Sequence, residues 1–76
     1  MKGNFENLTE GAVYRLNGRE YCATYSRRAQ GVWELRTLTT DHLSYIVMLN
    51  NEIVSMRTKV RPSGLTISDL EFIRAA

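Results

Sequence analysis

Seventy-six residues, 43% of them hydrophobic and 24% charged, make a chain that folds as one domain and leaves no room for a second core. Ten Lys and Arg against eight Asp and Glu give a net charge of +2, so any field that attracts nucleic acid has to come from local clustering. A chain this short buries only ~60% of the surface it exposes when unfolded, which makes a partner or self-association an expectation from size alone.

A single cysteine, Cys22, cannot form an internal disulfide, and the first residues carry no apolar run of a secretory signal; both point to a reducing cytoplasm. The longest apolar stretch, Tyr45 to Leu49, is far short of the ~20 residues that span a bilayer. No membrane insertion is expected.

Residues 1–7 have no clear period and read as a loose lead-in, with the domain over 8–76. Ala12 to Leu16 and Arg19 to Ser26 flank Asn17-Gly18, the strongest short hairpin signal, because a type I′ turn needs φ > 0 at both central positions. A two-residue turn sets Leu16 opposite Arg19, Arg15 opposite Glu20, Tyr14 opposite Tyr21 and Ala12 opposite Ala23. One face then gathers Ala12, Tyr14, Leu16, Tyr21, Ala23 and Tyr25, and the other holds an opposite-charge pair directly across the strands.

Beyond the polar loop 27–31, Val32 to Leu38 alternates Trp33 and Leu35 with Glu34 and Arg36 and reads as a third strand. A loop at Thr39 to His42 precedes the apolar run Leu43 to Leu49, long enough for a central strand and short for a helix. Asn50-Asn51 supplies another tight turn, since Asn tolerates the left-handed region, and Ile53 to Val60 follows as strand five. That register places Val47 opposite Val54 and Tyr45 opposite Met56 on one face, with Met48 opposite Ile53 on the other. Ile46, Met48 and Ile53 then form an outer apolar patch that something must cover.

Pro62-Ser63-Gly64 reads as a strand break. Ser68 and Glu71 have capping-box spacing, and Ile67 and Phe72 have the spacing of a hydrophobic staple, which predicts a short helix over 68–75. The fold expected is mainly β: a five-stranded antiparallel small barrel or rolled sheet with a short C-terminal α-helix. Its strand order resembles an SH3-like barrel in outline only, and no motif carries a function across with that resemblance.

Few residues could do chemistry. His42 follows Asp41 in a loop, where the simpler reading is a solvated histidine beside a turn-forming Asp. Cys22 lies on the hairpin face away from the tyrosines, flanked by Arg15 and Glu20, and reads as inert packing rather than an activated thiol. One Cys and one His without metal-ligand spacing cannot build a closed zinc site, and no phosphate-loop, dinucleotide or nucleophile-elbow motif occurs. No enzyme, metal or cofactor is expected.

Two binding readings remain. The leading one is a cytoplasmic protein-interaction module, an adaptor, regulator or subunit, using a sheet face with Ile46, Met48, Ile53 and Trp33 as contact candidates; self-association is one form of it. Trp33 is better explained as core. The alternative is a small nucleic-acid-binding barrel. Arg57, Lys59 and Arg61 alternate along strand five and project from one face at about 6.6 to 6.8 Å intervals, with Arg27 and Arg28 adding charge from the loop after strand two and Trp33 or a tyrosine available for stacking. Against this stands the common use of Lys and Arg to protect a sheet edge.

Overall fold

A computed structural model of the chain describes residues 8–26 and 32–75. The architecture is all antiparallel β: β1 (Val13–Leu16), β2 (Arg19–Tyr25), β3 (Trp33–Thr37), β4 (Leu43–Val47), β5 (Glu52–Ser55), β6 (Arg61–Thr66), a 3-10 turn (Ile67–Asp69) and β7 (Glu71–Arg74). They form one curled sheet in the order β6-β5-β4-β3-β2-β1-β7. Among the described residues seven strands replace the five expected, and strand β7 stands where a helix was expected.

The first hairpin follows its turn chemistry. Asn17 and Gly18 take φ values of 53° and 85°, and the pairs Leu16–Arg19, Arg15–Glu20 and Tyr14–Tyr21 form as the two-residue turn dictates. Ala23 N–H donates to the Ala12 carbonyl at 2.9 Å, which carries the register past the end of β1. Tyr14, Leu16, Tyr21 and Ala23 are buried together, while Tyr25, at the strand end, is more exposed and meets Trp33 edge-on at 5.2 Å. Trp33 itself is buried in the core cluster.

The second tight turn is one residue wider than Asn50-Asn51 alone. Tyr45 pairs with Ser55, Ile46 with Val54 and Val47 with Ile53, while Met48 N–H donates to the Glu52 carbonyl at 2.8 Å and Asn51 N–H to the Met48 carbonyl at 2.8 Å. Leu49, Asn50 and Asn51 therefore make a three-residue loop in which Asn51, at φ 72°, takes the left-handed position. Because side chains alternate with a period of two, this one-residue shift exchanges the faces of β5. Ile53 turns inward beside Val47 and is 1% exposed, Val54 turns outward beside Ile46, and the expected Met48–Ile53 pair does not form.

Strand five ends at Ser55 rather than Val60. Residues 57–59 are a bend, and Arg61–Thr66 is a strand despite its Pro62-Ser63-Gly64 core. Pro62 is tolerated because β6 is an edge strand that needs no N–H there for an outer neighbour. Ser63 and Gly64, the latter at φ 81°, fall between the pairs Val54–Pro62 and Ile53–Leu65 as a bulge. The Ser63 hydroxyl bridges it, donating to the Ile53 carbonyl and accepting from Leu65 N–H.

The capping-box chemistry near the C-terminal end exists, but two residues earlier than expected. Thr66 N–H donates to Asp69 Oδ2 at 2.9 Å, and Leu70 N–H to the Ile67 carbonyl at 3.1 Å, which caps a single 3-10 turn. Two helical turns hold poorly alone, whereas β1 offers a row of backbone groups. Glu71–Arg74 takes these up, pairing Arg15 with Glu71, Tyr14 with Phe72 and Val13 with Arg74.

Each of β2 to β6 runs antiparallel to the strand before it, and β7 runs antiparallel to β1, so the two edge strands point the same way. Parallel pairing requires a crossover of a dozen or more residues, and only residues 67–70 join them. The sheet therefore curls into a half-barrel without closing. Leu8, Leu65, Ile67 and Leu70 pack against the buried cluster of Ala12, Tyr14, Leu16, Tyr21, Ala23, Trp33, Leu35, Tyr45, Val47 and Ile53. The connector is pinned where Ile67 N–H donates to the Asn51 carbonyl at 2.8 Å.

Candidate functional site

The turn after β1, the loop after β3 and the bend after β5 lie at one end of the meander, because every strand reverses direction. There an open cleft of about 470 Å³ is lined by Asn17, Tyr45, Ser55, Arg57, Arg61, Pro62, Ser63 and Leu65. A second recess of about 250 Å³ next to it is lined by Thr37, His42, Leu43, Ser44 and Arg57. Arg57 serves both. Arg57 and Lys59 belong to the bend and Arg61 begins β6, so the three do not form the alternating row on one strand that their spacing suggested; they are gathered by the return of the chain from β5 to β6, and all are exposed.

The pairing of charges differs between the outer wall and this rim. On the wall, Arg15 contacts Glu20 at 3.3 Å and Glu71 at 3.4 Å, Arg74 contacts Glu20 at 3.5 Å, and Arg36 contacts Glu34 at 3.0 Å. At the rim, Arg19, Arg57, Lys59 and Arg61 make no ion pair with any described residue. Four cations left without counter-charges raise the local positive potential well beyond what a net charge of +2 suggests.

Tyr45 lines the cleft, and the Tyr21 ring meets it edge-to-face at 5.5 Å and 88°. Burial pushes the Tyr21 phenol above its ordinary pKa and Tyr45 adds to the rise, while Arg19 and Arg57 pull against it. The folded protein therefore holds this proton more tightly than the unfolded chain. The resulting stability is complete below the ordinary phenol pKa of about 10 and is lost as pH climbs through the folded value. Wild type is expected to lose urea resistance above about pH 10 more steeply than Tyr21→Phe. Equal alkaline slopes in a pH series of denaturation curves would remove Tyr21 from that account.

Both tyrosines are buried, as is Trp33, so none of them offers a face for base stacking. Among the described residues the exposed aromatics are Tyr25 and Phe72, neither of which lines the cleft. Arg27 and Arg28 lie outside the described residues. Tyr25, where β2 ends, and Trp33, where β3 begins, are at the opposite end of the sheet. Glu10, which accepts from Tyr25 N–H at 3.0 Å, and Glu52, at the start of β5, also sit at that opposite end.

The other residues singled out by sequence are dispersed. Ile46 is half-buried on the outer face beside Val54, Met48 is 37% exposed, and Ile53 is in the core; the three do not make a common patch. His42 is exposed and its backbone N–H donates to Thr37 Oγ1 at 3.0 Å. Cys22 points elsewhere, its thiol donating to the Gly11 carbonyl at 3.5 Å. Asp41, at φ 58°, forms the corner of the loop. Among the described residues no group of three or more His, Cys, Asp or Glu side chains is placed to hold a metal, and no helix is long and apolar enough to cross a membrane.

Sequence reasoning missed Arg19 as a rim residue, Ser63 as a cleft residue and the whole of β6. A usable signal was present for Arg19: it follows the Asn17-Gly18 turn, and the pairing of Arg15 with Glu20 leaves it without an acid opposite. In comparisons with known proteins, no family model, no curated protein and no solved structure matches this chain.

Proposed function

We propose that the chain is a non-enzymatic nucleic-acid-binding half-barrel that grips the phosphate backbone at its basic rim. The observation that carries this reading is the set of Arg19, Arg57, Lys59 and Arg61, which make no ion pair with any described residue at the end of the meander where Arg57 and Arg61 line the cleft, while Arg15, Arg36 and Arg74 on the wall are matched by carboxylates. Exposed cations without carboxylate partners gain most from a polyanion, because each phosphate contact releases condensed counterions. Arg57 and Arg61 supply forked donors suited to phosphate oxygens, and the Asn17 and Ser63 side chains add neutral polar groups beside them. With no stacking face at the rim, backbone contact to a duplex fits better than the splayed bases of a single strand.

The protein-contact reading has less behind it on the outer sheet face, since inward rotation of Ile53 leaves Ile46 and Met48 without the third member of their patch. Fluorescence anisotropy with a labelled DNA duplex of arbitrary sequence tests the rim. Three to four phosphate contacts imply a log K against log salt slope of about −2.7 to −3.6, so affinity is expected to fall roughly 40- to 150-fold between 50 and 200 mM salt. Arg57→Glu with Arg61→Glu is expected to abolish binding at low salt. Absence of wild-type binding at 50 mM salt, or unchanged affinity in the double variant, would refute the reading.

A further inference from the structure

The bend that carries Arg57 borders a second space besides the cleft. The recess of about 250 Å³ next to it is lined by Thr37, His42, Leu43, Ser44 and Arg57, with no carboxylate among them. A guanidinium, an imidazole and two hydroxyls around one small space make a set of hydrogen-bond donors without negative charge.

Ser44 lies there because β4 is irregular. Leu35 pairs with Tyr45 and Arg36 with Leu43, so Ser44 is the extra residue of a bulge against β3. Bulges re-aim a side chain and recur beside binding sites. Ser44 is 6% exposed, yet its hydroxyl has no hydrogen-bond partner among the described residues, and a buried hydroxyl left unbonded is costly. Its carbonyl accepts from Met56 N–H at 2.9 Å, which holds the residue before Arg57 against β4.

His42 is fixed at the recess by its backbone. Its N–H donates to Thr37 Oγ1 and its carbonyl accepts from Thr37 N–H, both at 3.0 Å. Thr37 Oγ1 is thus engaged by His42 and also by Thr40, which leaves the Ser44 hydroxyl, the His42 ring and the Arg57 guanidinium for a ligand. Asp41, the nearest acid in the chain, does not line the recess.

These groups suit an anion with several oxygens. A phosphate monoester presents three terminal oxygens, enough for the Arg57 fork, the Ser44 hydroxyl and an imidazole N–H together. A backbone phosphodiester has fewer free oxygens and continues on both sides, which suits the open cleft better than the recess. We propose that the recess is a phosphate-monoester site, in which Arg57 supplies the charge and the buried Ser44 hydroxyl donates to a phosphate oxygen. Such a group occurs at the 5′ end of a nucleic-acid strand and on free phosphorylated sugars. The site needs Arg57 but not the rest of the rim, so it stands or falls separately from duplex binding.

Amide NMR with ribose 5-phosphate at constant ionic strength tests the recess. Saturable shifts confined to residues 37–44 and the neighbourhood of Arg57 are expected at about 1–10 mM ligand. Ser44→Ala is expected to weaken the apparent affinity at least about tenfold. Should that variant unfold, His42→Ala, on an exposed loop, takes its place with the same loss expected. No saturable shift up to about 50 mM, or unchanged saturation in the folded variant, overturns the proposal whatever a duplex does. Fluorescence anisotropy with one duplex, either 5′-phosphorylated or 5′-hydroxylated, then names the source of the monoester. A preference of about tenfold or more for the phosphorylated duplex, lost in Ser44→Ala, places a strand end in the recess. Equal affinity for the two duplexes, with the ribose 5-phosphate shifts intact, assigns the recess to a free phosphomonoester and leaves the rim reading standing. The same shifts without any duplex binding refute the rim reading and keep the recess.

Discussion

Ile53→Lys is expected to unfold the protein under conditions where Met48→Lys changes its stability by less than about 0.5 kcal/mol. The two residues share a face if the second turn has two residues and occupy different environments if it has three. In the observed register Ile53 is 1% exposed and faces Val47, which is fully buried, so a lysine there has no route to water and no carboxylate to meet. An unpaired buried charge costs several kcal/mol, and a 76-residue domain has only roughly 4 to 11 kcal/mol in total on the per-residue scale. Urea denaturation followed by circular dichroism separates the outcomes. A folded Ile53→Lys with near-native midpoint would mean the loop register is not the one described.

The second large effect is expected at Tyr14. Its ring is buried and lies across from Phe72, and its hydroxyl accepts from Thr9 N–H at 2.9 Å. One side chain thus ties β7, β1 and the residues leading into β1 to the same point. Tyr14→Ala removes the ring and the acceptor together, with an expected loss of about 3–5 kcal/mol. Tyr14→Phe keeps the edge-to-face contact and strands one partly buried donor, so a loss of about 1–2 kcal/mol is expected. Equal losses in the two variants, read from denaturation midpoints at unchanged slope, would mean that the hydroxyl rather than the ring holds the three segments together.

How far the fold could be read from residues depended on how many local signals agreed. At the first hairpin, turn chemistry, alternation and the Arg15–Glu20 pair all demanded one register, and the structure has it. At Asn50-Asn51 the turn residues suited a two- or a three-residue loop. What decided was the barrel interior, which took Val47 and Ile53 together and rejected Val54, and this is a tertiary preference no local window contains. The missed β6 has the same origin: Pro62 and Gly64 punctuate a chain read locally, yet at a sheet edge with a bulge they are compatible with pairing.

The C-terminal segment misled for a sharper reason. Its capping signal was real, but the carboxylate used is Asp69 and the helix it starts ends after one turn. Phe72 and Ile73 are β-formers, but four residues taken alone do not select extension. The bare edge of β1, with Arg15 awaiting a second acid, does. The candidate site was partly legible: Arg57, Lys59 and Arg61 were marked by charge, whereas the meeting of Arg57 and Arg61 with Asn17 at one cleft came from curling of the sheet.

The pairing of β1 on both sides sets a timetable for the nascent chain. Its first neighbour arrives through a two-residue turn, but the second comes from 56 residues downstream, the separation of Arg15 from Glu71. At ribosomal rates of about 5–20 residues per second, that wait lasts roughly 3 to 11 s. During it a hydrophobic hairpin is finished locally while one flank stays open to any passing strand, and the non-local docking that ends this exposure is the slow step of assembly.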